Sequence, residues 1–192
     1  MPTHVALLRG INVGGKQMSM ADLREVVSSL GHRDVATYIQ TGNVVFTAAG
    51  TTAAASTSTE DIAAALEDAL DRALGMRPRV VVLTREDLAQ AVRGNPYGDE
   101  PNPKYVHVVF FPEPPGAELA EYLPAAHQRA SERGSSRDEA RLVGNMLFLH
   151  TPDGFGRSEL ALQLLQKPRS PAASGTARNW STVSKLLALC GG

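Results

Sequence analysis

The alternation of two apolar spacings along the chain constrains its fold more than any other feature. Val5 to Arg9 is a short apolar run, read as a buried strand. Met20, Leu23, Val26, Val27 and Leu30 then recur at helical spacing, and Gly31 stands where a helix ends. Val35 to Gln40 and Val44 to Thr47 are two β-rich runs joined by Thr41-Gly42-Asn43, which reads as a hairpin. Ser58 and Asp61 open a second helix whose apolar face is Ile62, Leu66, Ala69, Leu70, Ala73 and Leu74, closed by Gly75. Arg79 to Thr84 contains Val80-Val81-Val82-Leu83, a strand apolar on both faces. Residues 4 to 84 therefore spell β-α-β-β-α-β, which right-handed crossovers close into a ferredoxin-like sheet with both helices on one side.

The same order begins again further on. A short helix capped by Thr84 and Asp87 is broken by Gly94-Asn95-Pro96-Tyr97-Gly98, and Asp99 to Pro103 is rich in turn formers. Tyr105 to Phe111 reads as a strand, and Leu119 to Ala126 as a helix that Pro124 kinks or restarts. Glu139 to Val143 and Met146 to His150 form a hairpin across Gly144-Asn145. Leu160, Leu164 and Leu165 mark another helix. Pro168 to Gly175 reads as a linker, and Thr176 to Cys190 as a terminal helix, with a short last strand near Ser174 to Ala177 as the alternative. The expected class is α+β, with two tandem ferredoxin-like (βαββαβ) repeats, the second ending in a C-terminal helix. The expected division is a first repeat over 1–93, a linker over 94–103, and a second repeat with its helix over 104–192.

The richest functional stretch is Arg9-Gly10-Ile11-Asn12-Val13-Gly14-Gly15-Lys16, where glycines and cations follow a strand and precede a helix. Such a turn presents backbone N–H groups to an anion. Gly10 to Lys16 fits the spacing of a phosphate-binding P-loop. Gln17, however, stands where Ser or Thr would hold magnesium, and the helix signal starts only at Ser19 with Asp22. Arg9, Asn12, Gly14, Gly15 and Lys16 are therefore candidates for anion binding, with a tight structural turn as the alternative. Asn43 sits in the hairpin turn. Arg157, in Gly154-Phe155-Gly156-Arg157-Ser158, is a cation before a helix, although Ser158 reads equally well as its N-cap. Arg178-Asn179-Trp180 forms a second group: Arg178 for charge, Asn179 as cap or ligand, and Trp180 as a stacking ring or a core wedge.

These segments, with Tyr38-Ile39-Gln40-Thr41-Gly42-Asn43, Asn95-Pro96-Tyr97 and Lys104 to Val108, resemble the bacterial DUF1697 family, a domain of unknown function found in uncharacterised cytoplasmic proteins. The resemblance runs over nearly the whole chain. It implies a two-repeat α+β fold and no established activity, and it supplies no catalytic residue. Two departures stand out. The family often begins the helix after the late glycine turn with Ser-Lys, where this chain has Ser158-Glu159. The Ala48 to Thr59 insertion is also longer than the resemblance implies.

Composition narrows the function class. Of 192 residues, 43% are hydrophobic and 20% charged, which is ordinary for a soluble globular chain. A net charge of −1 gives no basic field for nucleic acid, though a local patch is still open. Cys190 is the single cysteine, so no disulfide framework forms, which fits a reducing cytoplasm. No apolar stretch suits a membrane helix, and no signal peptide is read at the start. The histidines His4, His32, His107, His127 and His150 have no metal-ligand spacing, so no metal is expected, and His107 reads as a satisfied core or surface residue. The expected function is binding of a small anionic or nucleotide-like ligand between the two repeats. A nucleic-acid-binding or protein-interaction module without catalysis is the alternative. An RNA-binding sheet would use Tyr38, Phe46, Tyr105 and Phe111 on an open face. Cofactor, catalytic residues and oligomeric state are left unassigned.

Overall fold

The computed structural model describes residues 1–11, 18–50 and 57–191. It is a mixed α+β structure with two four-stranded antiparallel sheets, each with its helices, and a C-terminal helix. Two compact units divide the chain. One comprises Met1–Ala89 with Lys185–Gly192, the other Gln90–Ser184.

In the first unit β1 (His4–Leu8), α1 (Met20–Ser29), β2 (Arg33–Tyr38), β3 (Asn43–Thr47), α2 (Thr59–Leu74) and β4 (Val80–Thr84) follow in turn. The sheet order is β2-β3-β1-β4, with every pair antiparallel. One sheet face, Ala6, Leu8, Val44, Phe46, Val80 and Val82, packs with Leu23, Val27, Ile62, Leu66 and Leu70 of the helices. Alternation sends Val5, Leu7, Val45 and Val81 to the opposite face, where they are also buried. The helix starts are those the hydroxyl residues mark. Ser19 Oγ accepts the Asp22 N–H at 3.0 Å and Ser58 Oγ the Asp61 N–H at 3.0 Å. Beyond β4, α3 (Arg85–Gly94) starts in a reciprocal cap. Thr84 Oγ1 accepts the Asp87 N–H at 3.1 Å, and Asp87 Oδ2 accepts the Thr84 N–H at 2.7 Å.

The second unit repeats the order with β5 (Val106–Phe110), α4 (Ala117–Ser131), β6 (Glu139–Val143), β7 (Met146–His150), α5 (Glu159–Leu165) and β8 (Thr176–Asn179). Its sheet order is β6-β7-β5-β8. Val109, Leu147 and Leu149 face Leu119, Ala126, Leu160 and Leu164. The helix α6 (Trp180–Leu189) follows directly.

Three local expectations are decided by the structure. The segment from Thr176 to Cys190 is not one helix but opens on a short strand, close to the alternative expected near Ser174 to Ala177. Its first four residues form β8, antiparallel to β5, with Thr176 opposite Phe110 and Asn179 opposite His107. The sheet supplies hydrogen-bond partners along β5 that local propensity does not anticipate. Helix α4 runs on through Pro124, so of the two expectations there the restart is ruled out. Strand β2 ends at Tyr38 rather than Gln40, because Ile39 turns the backbone left-handed at φ 50°. Residues 51–56 of the Ala48 to Thr59 insertion lie outside the described residues.

Candidate functional site

The first candidate is built where β1 and β4 run out. Leu8 pairs with Val80, and the register continues through a 2.9 Å bond from the Arg9 N–H to the Arg79 carbonyl. Arg9 and Arg79 therefore stand directly opposite each other, so their side chains leave the same face of the sheet. The hairpin turn closes on the same corner. The Leu8 N–H donates to the Gly42 carbonyl at 2.8 Å. A Cβ on Gly42 would lie 2.7 Å from Ile11 Cδ1 and 2.8 Å from Leu8 Cβ, and its φ is 74°. Gly42 is thus required both for its left-handed backbone and for the approach of the two loops. Gly10, at φ 70°, turns the chain away from the strand.

Of the residues expected at this site, Asn12, Gly14, Gly15 and Lys16 lie outside the described residues. Arg9 is half-buried and Arg79 exposed. Asn43 is fully buried, and its carboxamide donates to the Tyr38 carbonyl at 3.2 Å and to Thr41 Oγ1 at 2.9 Å. That geometry fixes the turn. Ile39 beside it is 48% exposed in a left-handed conformation that a β-branched residue rarely adopts. Arg77 is paired with Asp68 and lies 3.8 Å from Glu67, whose other oxygen accepts the Val80 N–H at 2.9 Å. The groove between α1 and α2 is lined by Asp22 and Glu25 and has the wrong sign for an anion.

In the second unit Arg178 lies on the β8 face opposite α4 and α5, beside Val108. Burial pushes its guanidinium pKa down to about 10, and Nη1 donates to the Ala177 carbonyl at 2.9 Å. Asn179 caps α6, its Oδ1 accepting the Ser181 N–H at 2.9 Å. Trp180 is half-buried at the first position of that helix. Arg157 is exposed, and Ser158 after it is the buried cap of α5, accepting from the Ala161 N–H at 2.9 Å and donating to Asp138 Oδ2 at 2.6 Å.

Sequence reasoning missed three features. Arg79 was passed over because opposition to Arg9 depends on strand pairing. The visible sign was a cation opening one apolar run and another closing its partner. His107 is not a satisfied histidine: its Nδ1 is buried without a hydrogen-bond partner, and burial pushes its pKa down to about 4. The third is a cluster on the 95–105 segment. His150 Nε2 lies 2.7 Å from Glu100 Oε2, and the ring stacks on Tyr97 at 5.3 Å. The Asn102 N–H and His150 hold the Glu100 carboxyl below its usual range, while burial raises the Tyr97 phenol under Arg141. The other histidines make local contacts: His4 with Thr3, His32 with the Ala49 N–H, His127 with the Ala140 backbone. Among the described residues no three His, Cys, Asp or Glu converge on a metal position. No helix of the described residues is long and apolar enough to cross a membrane.

The aromatics proposed for an open RNA-binding face do not form one. Phe46 is fully buried in the helix-side core of the first unit, and Phe111 packs on that of the second.

Comparison with known proteins adds the following. The family model described as a protein of unknown function (DUF1697) matches residues 1–148. A solved structure of a conserved bacterial protein from Streptococcus pneumoniae is 22% identical, covers 98% of each chain and superposes with a TM-score of 0.70. At that identity the likeness concerns the fold alone. No curated protein matches the chain.

Proposed function

Taking as premise that this chain belongs to the DUF1697 family of proteins of unknown function, we propose that it binds a small anionic or nucleotide-like ligand at the β1–α1 turn. The observation that carries the reading is the opposition of Arg9 and Arg79. Two cations at directly opposed positions concentrate positive potential at this corner of the sheet, which attracts an opposite charge. An anion between two guanidinium groups supplies that charge with paired, directional hydrogen bonds. In the sequence, Lys16 adds a further cation and Gly14 and Gly15 add positions without a side chain to the same stretch. Asn43 acts by holding the hairpin turn against Leu8 and Ile11. Arg157, Arg178, Asn179 and Trp180 remain candidates in the second unit.

We further infer that the two units are tandem ferredoxin-like repeats. The shared element order and the matching sheet orders, β4-β1-β3-β2 and β8-β5-β7-β6, support this. A cytoplasmic location belongs to the same reading.

Calorimetric titration of the whole chain with inorganic phosphate and pyrophosphate tests the proposal. Arg9→Ala and Arg79→Ala should each weaken binding by about tenfold or more, as expected for a hydrogen bond to a charged group. Absence of heat with both anions, or native affinity retained in both variants, would refute the site and leave an interaction module as the better reading.

A further inference from the structure

The segment Pro152 to Ser158 carries a second inference, independent of the first-unit turn. His107 lies on the face of β5 that also carries Val109 toward α4 and α5. It is 9% exposed, and its Nδ1 finds no hydrogen-bond partner. Such groups are nearly always paired in native folds, and an exception signals a ligand, a water or a mechanistic role. The ring is not bare. Phe155 stacks on it, centroids 3.9 Å apart and planes inclined at 20°. Phe155 belongs to a single three-ten turn, Phe155–Arg157, between Gly154 at φ 100° and Gly156. A Cβ at either glycine would meet nothing within 4 Å, so neither is wedged against its surroundings.

The charges around the turn are asymmetric. Asp153 is held by Arg137, and Glu159 lies 3.7 Å from Arg133. Arg157 is exposed and makes no ion pair among the described residues. Asn179 stands directly across from His107 on β8. An aromatic slot, an unmatched ring nitrogen, a carboxamide and a cation therefore share one end of this sheet.

We propose that His107, Arg157 and Asn179 form a binding site for a planar heteroaromatic ring bearing an anionic group, of the nucleoside monophosphate class, and that Phe155 fills the ring slot until such a ligand displaces it. The ligand ring takes the place of Phe155 on the imidazole face, a ribose hydroxyl donates to Nδ1 at the edge of that ring, and Arg157 takes the phosphate. The buried imidazole is neutral near pH 7, which leaves one nitrogen free to accept. Glycine on both sides of Phe155 lets the turn swing without dragging α5.

The test is a titration of the full chain, 15N-labelled at histidine, with AMP, followed through the His107 imidazole nitrogens. Their assignment comes from His107→Leu. A saturable shift of Nδ1 is expected. Arg157→Ala, an exposed position that does not threaten folding, should weaken AMP about tenfold, and adenosine should bind the native chain that much more weakly than AMP. Phe155→Ala removes the internal competitor and should tighten binding about fivefold, the worth of one aromatic pair. If Phe155→Ala does not fold, Phe155→Leu serves the same purpose. No shift at His107 with millimolar AMP in either the native chain or the Phe155 variant would overturn the proposal. So would a shift indifferent to Arg157→Ala. Perturbation elsewhere with a silent His107 would overturn this site and leave the Arg9–Arg79 reading standing.

Discussion

A buried imidazole ties stability to pH. The pKa of His107 is pushed down by burial to about 4 in the folded chain, against an unfolded value near 6.5. Between those values the unfolded chain binds the extra proton, so stability is full above about pH 6.5 and is lost as pH falls toward 4. The loss is at most about 3 kcal/mol for a gap of that size. Burial lowers His4 and His32 as well, in the same direction. Urea unfolding at a series of pH values should show the midpoint dropping across this window. His107→Leu should flatten the drop while costing little at neutral pH, because it removes an unpaired polar nitrogen rather than a hydrogen bond. A wild-type slope surviving unchanged in the variant would assign the titration to other groups.

Among the helices, the same residue type caps with very different consequences. Ser19 is an exposed cap, and Ser19→Ala should cost about 1 kcal/mol. Ser158 is buried and used twice, as acceptor for Ala161 and as donor to the buried carboxylate of Asp138. Ser158→Ala removes the cap and also leaves Asp138 short of a donor. Its expected cost is about 2–4 kcal/mol. Side-by-side denaturation of the two variants checks the ordering; equal costs would mean the Asp138 contact adds nothing. Helix α5 has only seven residues, too few to stand on propensity, so its cap and its packing face matter more than in α2.

Across the whole molecule, each unit carries its own apolar core under its own pair of helices. The chain does not divide at one point, because Lys185–Gly192 groups with the first unit although it follows the second in sequence. Leu186 is fully buried and Cys190 nearly so, and the Gly191 carbonyl accepts from Arg85 at 3.2 Å. Leu186→Ala should cost about 2–5 kcal/mol, the range for a leucine emptied from a packed core. Amide exchange should then quicken in β1 and β4 more than in β5 and β7. The reverse order would show that the end of α6 stabilises the other unit.

Sequence alone determined the element order as far as the last strand, because helix and strand faces write different periods into the chain and hydroxyl residues mark helix starts locally. Ser19, Ser58, Thr84 and Ser158 cap where their position before an apolar run places them. It also singled out the glycine turn after β1 and the cations Arg9, Arg157 and Arg178. Tertiary structure decided what depends on partners distant in the chain. Thr176 to Asn179 became a strand because β5 offered an open edge, which decided between a continuous helix and a short last strand. Arg79 came to face Arg9, and His107 came to lie under Phe155, through pairings across some 70 and 48 residues that no local window contains. Local period fixes what each segment is; only closure of the sheets fixes which side chains meet.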